Sequence, residues 1–334
     1  MSRLIHNLIS FLALLLVLSL VLFLAFRFLP GDPAKALLGL DADPDKLFQL
    51  RHELGLDRPL HEQYLHSITG LFSREDPLLS LRFKTPVRQL IASRLPLTLS
   101  LASLSFLLII LLALPLALFA AYHAGQPADR FTAVLTRLTQ AVPPFFMAML
   151  LSLLMARLFS YFQPNFYPEH APLYVKLKIL ALPSLAIALP RIAQAFQFLR
   201  DALVGEWQKE YVLRARSQGA SRRRILLVEI LPNALIPFVT STGLILVEIL
   251  TNTLLVEQVF KLPGVGQLLF ASVAQRDFPL AQAMILLLSS LIITINRLVD
   301  LANRSLDPRL SLRRASSAPV TQAEAILRED EKHV

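Results

Sequence analysis

An all-α membrane protein of six spans is the fold class this sequence predicts, and three observations predict it. Hydrophobic residues make up 54% of the 334 and charged residues 17%, against about 25% charged in an ordinary soluble domain. Mean hydropathy is positive, at +0.55. Uncharged stretches at 8–26, 95–127, 138–156 and 278–296 each reach the roughly 18 apolar residues that a spanning helix needs.

Taken in order, the first stretch is expected to remain as a span. Its apolar core exceeds the roughly 7–15 residues of a signal-peptide core, and no small-residue cleavage site follows. Two less regular stretches complete the set: 177–199, interrupted by Lys178 and Arg191, and 230–256, interrupted by Glu248. The expected spans are 8–28, 95–123, 134–160, 177–200, 230–256 and 278–299. Pro143 and Pro144 in the third, and Pro183 and Pro190 in the fourth, should interrupt helical hydrogen bonding. The chain holds no cysteine, which excludes disulfides and thiolate chemistry and leaves the compartment open.

Domain organisation follows from the spans. An N-terminal transmembrane helix occupies 1–29, and a connecting segment with short helices occupies 30–94. A core of five spans covers 95–310 and includes a basic loop at 201–232, and a polar tail occupies 311–334, expected to be mobile. The segment 30–94 carries Asp-Pro and Pro-Gly turn signals, with Asp43 or Asp45 placed to cap a short amphipathic helix. It is expected to be an ordered cap without a core large enough to stand alone.

Orientation is set by Lys and Arg in short loops. Arg200, Lys209, Arg214, Arg216 and Arg222 to Arg224 crowd the loop between spans four and five, so that loop is expected on the cytoplasmic side. Counting spans outward from it puts both termini inside and segment 30–94 outside. The formal charge of +9 is thereby explained by orientation, and nucleic acid is not expected as a partner. Within the loop a helical reading places Tyr211, Ala215 and Gln218 on one side. A turn follows at Gly219, which tolerates positive φ, and Ser221 can N-cap a second short helix over 222–230.

Two charges fall inside spans, where they are rare and usually face protein or water. Arg191 and Glu248 lie in consecutive spans and could form a buried pair. Alternatively, Glu248 with Asn252 could line a solute pathway.

The loop reads E-Y-V-x-x-A-R-x-x-G over 210–219, followed by L-P-N-A-L-I-P over 231–237. It resembles the cytoplasmic "EAA" loop of binding-protein-dependent ABC importer permeases. A second block, LLVEQVFKLPGVGQLLFASVAQRDFPLAQA at 254–283, is similar to a segment of the dipeptide, oligopeptide and nickel permeases. P-G-D-P at 30–33, L-G-L-D-R-P-L-H-E-Q-Y at 54–64 and L-D-P-R at 306–309 are features of the B-type subunit of that group.

The resemblance implies an ABC type I importer permease-like core and a multi-pass protein of a bacterial or archaeal inner membrane. The partners it implies are a second homologous permease, two cytoplasmic ABC ATPases and an extracytoplasmic substrate-binding protein. The cargo would be peptides or a similar small solute. It assigns ATPase coupling to Glu210, Tyr211, Ala215, Arg216, Gly219, Arg222 and Arg223. ATP would be bound by the partners, since the ten glycines include no G-x-x-x-x-G-K-[ST] phosphate loop. No cofactor, metal site or catalytic residue is expected. Glu257, Phe260, Pro263, Gly264 and Gly266 would shape a short re-entrant or surface helix on the outer side, acting as a gate, as a binding-protein contact, or only as a tight turn.

The chain departs from the family where Val228 and Glu229 replace a basic residue, where span two carries leucine and alanine for glycine, and where DLANRSLDPR replaces an aromatic-alanine pair before LDPR. Two alternatives stand beside the importer reading. One is an ABC subunit of the same build exporting, or giving resistance to, cationic peptides or polyamines. The other is a secondary transporter, which should show internal inverted repeats; none is visible.

Overall fold

A computed structural model describes residues 2–28, 33–38, 43–158, 167–168 and 172–306. The tail 311–334, residues 30–32 of P-G-D-P and residues 307–309 of L-D-P-R lie outside them. Among the described residues the chain is helical, with one isolated bridge between Leu79 and Pro86.

Helix α1 (Ser2–Phe28) leads through α2 (Pro33–Leu38), α3 (Pro44–Glu53) and α4 (Leu60–Phe72) to the long helix α5 (Val87–Tyr122). A bent pair follows, α6 (Pro127–Gln140) and α7 (Pro144–Leu158), and then α8 (Leu173–Glu206). Next come α9 (Glu210–Ser217), α10 (Arg222–Arg224), a π-helical turn at Ile225–Ile230, α11 (Leu231–Phe260), α12 (Val265–Ala274) and α13 (Phe278–Leu306). Among the described residues five helices are long and apolar enough to cross a membrane, and six spans result if the bent pair counts as one.

That bent pair stands where the third span is expected at 134–160, and it begins earlier, at Pro127. Its halves meet at 95°, because Pro143 and Pro144 supply no N–H and clash with the preceding turn. By contrast Pro183 and Pro190 lie inside α8 without ending it. Both are buried, so neighbouring helices hold the backbone where two ladder bonds are missing. The second span also begins earlier than residue 95, at Val87.

The centre of the molecule is α8, packed against α5, α6, α7 and α11. Its buried face is rich in small residues (Ser184, Ala186, Ala188, Ala193, Ala195), and α5 presents Ala113, Ala117, Ala120 and Ala121 fully buried. Because lipid tails are as apolar as leucine, helices in a membrane associate through close packing, which such residues permit. Gly243 does the same where α11 meets α13: a Cβ there would lie 2.5 Å from Val299 Cγ1. From Ile9 onward helix α1 buries little, with Ile9, Leu12, Leu16 and Val17 exposed. It is held at Ser19, whose hydroxyl meets Tyr64 Oη of α4 at 2.7 Å and whose carbonyl accepts from Gln282 of α13 at 3.4 Å.

The cap helices have no core of their own. Helix α3 buries nothing and α4 only Gly70. Of the two capping candidates Asp43 acts, its carboxylate accepting from Asp45 N at 3.1 Å. The 78–87 segment is instead anchored to the far end of the bundle, where Leu78 and Val87 join Val265, Leu268, Leu280 and Met284 in a second apolar cluster.

Candidate functional site

Three groups of residues lie along one path, from the arginine-rich end through the middle of α8 and α11 to α12.

At the arginine-rich end, α9 closes in a Schellman turn. Gly219 N donates to Arg216 O at 2.9 Å and Ala220 N to Ala215 O at 3.1 Å, the paired bonds that satisfy a helix's last carbonyls. Gly219 adopts φ +78°, and nothing lies near the position of an added Cβ. Ser221 Oγ then accepts from Arg224 N at 3.4 Å, capping α10. The second helix expected over 222–230 does not stop there. It passes through the π turn into α11, so 222–260 is one continuous rod.

Not every residue assigned to coupling points outward. Glu210, Arg216, Gly219, Arg222 and Arg223 are exposed, whereas Tyr211 and Ala215 pack against the chain's own core. Tyr211 Oη donates to Glu206 Oε2 at 2.6 Å and accepts from Asn233 Nδ2 at 3.4 Å. Burial, aided by the Glu206 carboxylate, pushes this phenol up to about 12. Tyr211 and Ala215 are thus half-buried, while Leu213, 65% exposed beside Arg214, stands outward.

The arginines are also ordered from within. Arg216 and Arg222 stack on the Trp207 ring at 5.1 and 5.3 Å, and Arg222 also lies 5.3 Å from the Tyr122 ring at the end of α5. A second tie went unforeseen. Asp129 of α6, 3% exposed, accepts from Arg200 Nε and Nη2 at 2.6 and 2.8 Å in a bidentate pair. Its only sequence signal was an acid in the first turn of a helix opened by proline.

Midway along the rod, Glu248 meets Arg191 of α8 at 2.5 Å. The charges touch, yet Glu248 Oε2 and Arg191 Nε have no hydrogen bond of good geometry. Arg191 Nη1 donates to Gln194 Oε1 at 2.6 Å. The pair foreseen as one alternative is thus present, and it is only partly covered: side-chain exposure is 19% for Arg191 and 38% for Glu248. Glu248 stands on a row with Asn233, Thr240, Leu244, Thr251 and Leu255, the open side of α11, and Asn252 follows one turn on.

At the far end Glu257 is completely buried. Its Oε1 accepts from Thr98 Oγ1 at 2.6 Å, and its Oε2 accepts from Gly266 N at 2.6 Å and Gln267 N at 3.4 Å. Thr98 Oγ1 in turn accepts from Val265 N at 2.9 Å. The carboxylate thereby satisfies the first N–H groups of α12, where the helix dipole also favours negative charge. The glycines are required by this closeness. A Cβ on Gly264 would collide with the Glu257 carboxyl, and one on Gly266 would lie 2.5 Å from Leu254 Cα. Phe260, Gly264 and Gly266 are buried and Pro263 half-buried. Glu257 and its partners thus form an internal clamp that sets α12. Beyond it, Asp277 is the residue sequence reasoning missed. Its buried carboxylate accepts from the Ser80 hydroxyl, from Leu81 N at 3.1 Å and from Arg82 N at 3.3 Å, pinning the cap to the start of α13. At this same end a cavity of about 860 Å³ opens between α1, α3 and α13, lined by Phe23, Phe48, Arg51 and Phe278 among others.

Comparison with known proteins adds a family. Residues 113–312 match the family described as "Binding-protein-dependent transport system inner membrane component", and residues 1–102 match its N-terminal family. A putative peptide transport system permease protein of Brucella abortus is 34% identical over 89% of this chain and 94% of its own length. The glutathione transport system permease protein GsiC of Salmonella typhimurium is 32% identical over 93% of this chain and 99% of its own. A solved structure of the MetNI methionine ABC transporter in inward-facing form aligns at TM-score 0.55 and 18% identity, covering 66% of this chain and 98% of that one. A structure of an amino acid ABC transporter aligns at TM-score 0.53 and 16% identity, over 65% of this chain and 94% of that one. At such identity the likeness concerns the fold.

Proposed function

The chain belongs to the binding-protein-dependent transport system inner membrane component family, and from that premise we propose how its geometry serves transport. It is a multi-pass permease subunit. It forms one half of a pathway completed by a second, homologous permease, with two ABC ATPases docked on the arginine-rich side and a substrate-binding protein on the other. The arginine-rich side is cytoplasmic, by the distribution of Lys and Arg, and both termini lie on it. ATP is bound by the ATPases, and this subunit does no covalent chemistry. The cargo is a peptide or a similar small solute, in keeping with the relatives named for peptide and glutathione transport. Those relatives favour the importer reading over the export alternative.

The observation that carries this reading is the rod. One continuous helix joins the exposed turn around Gly219 to the Arg191–Glu248 pair and then to the Glu257 clamp on α12. A push on the turn is therefore carried to the middle and far end along one helix. The face that carries Glu248 is also marked. A charge facing lipid at mid-bilayer costs about 2.5–3.5 kcal/mol or more, so a carboxylate left 38% exposed belongs on a protein–protein or aqueous face. We assign that side of α11 to the pathway between the two permeases.

The test uses the whole assembly in proteoliposomes. With Gly219→Val, co-purification of the ATPases is expected to persist while ATP hydrolysis stimulated by the binding protein falls at least tenfold. Full stimulation in this variant would defeat the coupling reading.

A further inference from the structure

Buried polar atoms in proteins nearly always find partners, so exceptions ask for an explanation. Among the described residues five buried side-chain atoms lack one: Ser184 Oγ, Arg191 Nε, Gln197 Nε2, Trp207 Nε1 and Glu248 Oε2. Four of these lie within α8 and α11, two of them on the Arg191–Glu248 pair itself. Ser184 and Arg191 stand seven residues apart on α8 and share a face; Glu248 meets Arg191 from α11 at 2.5 Å, with Asn252 one turn beyond it. Arg191 has five donors; Nη1 serves both Gln194 Oε1 and the Glu248 carboxylate, and Nε has no partner.

An ion pair serving only to staple two helices should have its hydrogen-bonding capacity used. This one leaves Nε of the cation unpaired, has neutral polar atoms to spare close by in sequence, and keeps an open side. Such a set is complementary to a molecule bearing one carboxylate and one ammonium. A guanidinium takes a carboxylate in a bidentate fork, and a carboxylate takes an ammonium. Exchanging the internal pair for two pairs with such a solute leaves the net charge of the site at zero, so no uncompensated charge is placed in the membrane interior.

We propose that Arg191 and Glu248 form a charge-exchange site that parts to receive a zwitterionic solute, Arg191 binding its carboxylate and Glu248 its ammonium, and re-forms when the solute leaves. Ser184 and Asn252 offer hydrogen bonds to the solute's neutral amide. The proposal rests on the pathway reading above and narrows its cargo to small solutes with both termini free.

The test is direct binding to the complete permease–ATPase assembly in nanodiscs without binding protein, using radiolabelled Ala-Ala as the probe. Saturable binding is expected, displaced by unlabelled Ala-Ala and not by the same dipeptide N-acetylated and C-amidated. Glu248→Gln should weaken it at least tenfold. So should the double variant Arg191→Met with Glu248→Leu, which keeps the volume and leaves no lone buried charge. Absence of saturable binding in the wild type, equal displacement by the blocked dipeptide, or wild-type affinity in the double variant would each overturn the proposal and make the pair a staple or a contact with the second permease. Failure of the transport reading shows separately, as an assembly that does not form or whose ATP hydrolysis ignores the binding protein.

Discussion

Glu257 shows how a single acidic side chain can hold one end of a membrane protein in shape. It is buried at full depth, yet every partner it has is a donor, and the helix start it caps supplies two of them. Glu257→Gln should preserve the outline and lower stability by about 1.5–3 kcal/mol, the scale of a hydrogen bond to a charged group, read as thermal unfolding in detergent. Gly264→Ala should cost about 1–3 kcal/mol through overpacking against that carboxyl. Tyr211 carries a pH signature. Its phenol is raised to about 12, so the fold favours the neutral form. The stabilisation it gives is complete below the ordinary tyrosine value near 10 and is lost as pH rises from there toward about 12. Between pH 9 and 11.5 the unfolding temperature of Tyr211→Phe should fall less steeply than that of the wild type. The acid at 257 was visible in the sequence. Its partner Thr98 was not, because 159 residues separate them and no periodicity links a hydroxyl to a carboxylate on another helix.

At the scale of elements, α6 and α8 are joined by Asp129 and Arg200 near the coupling turn. Removing one partner strands the other. Asp129→Ala and Arg200→Met are each expected to destabilise by about 1–3 kcal/mol, less than the roughly 3–5 kcal/mol of a fully buried pair, since Arg200 keeps 24% side-chain exposure. The double variant should lose less than the sum, a coupling that a double-mutant cycle measures. The apolar runs made the long helices legible, and the Pro143–Pro144 step announced an interruption. Whether an interruption bends a helix or is absorbed depends on neighbours: Pro183 and Pro190 are enclosed in α8, while the pair at 143–144 lies between helices meeting at 95°. The π turn at Ile225–Ile230 had no signal, because one extra residue per turn leaves an apolar run looking the same.

For the whole molecule, the helix from Arg222 to Phe260 links the Gly219 turn, the Arg191–Glu248 pair and the α12 clamp, which the proposed function reads as one lever. Breaking the lever between its ends should separate the two activities. Leu244→Pro is expected to leave ATPase docking at the Gly219 turn in place and to abolish uptake in proteoliposomes; retained uptake would show that the rod does not transmit the motion. By itself the sequence determined that the chain crosses a membrane several times, which end carries the arginines, where the Gly219 turn lies and which family the chain resembles. Run length, charge and short motifs are local properties, written in consecutive residues. Only the tertiary structure decided that Tyr211 and Ala215 face inward, that Arg191 and Glu248 meet with bonding capacity to spare, that Glu257 caps α12, and that Asp129 and Asp277 are staples. Each of those depends on how helices distant in the chain are rotated and set against one another, and that is fixed by the packing of small residues along α5, α8 and α11.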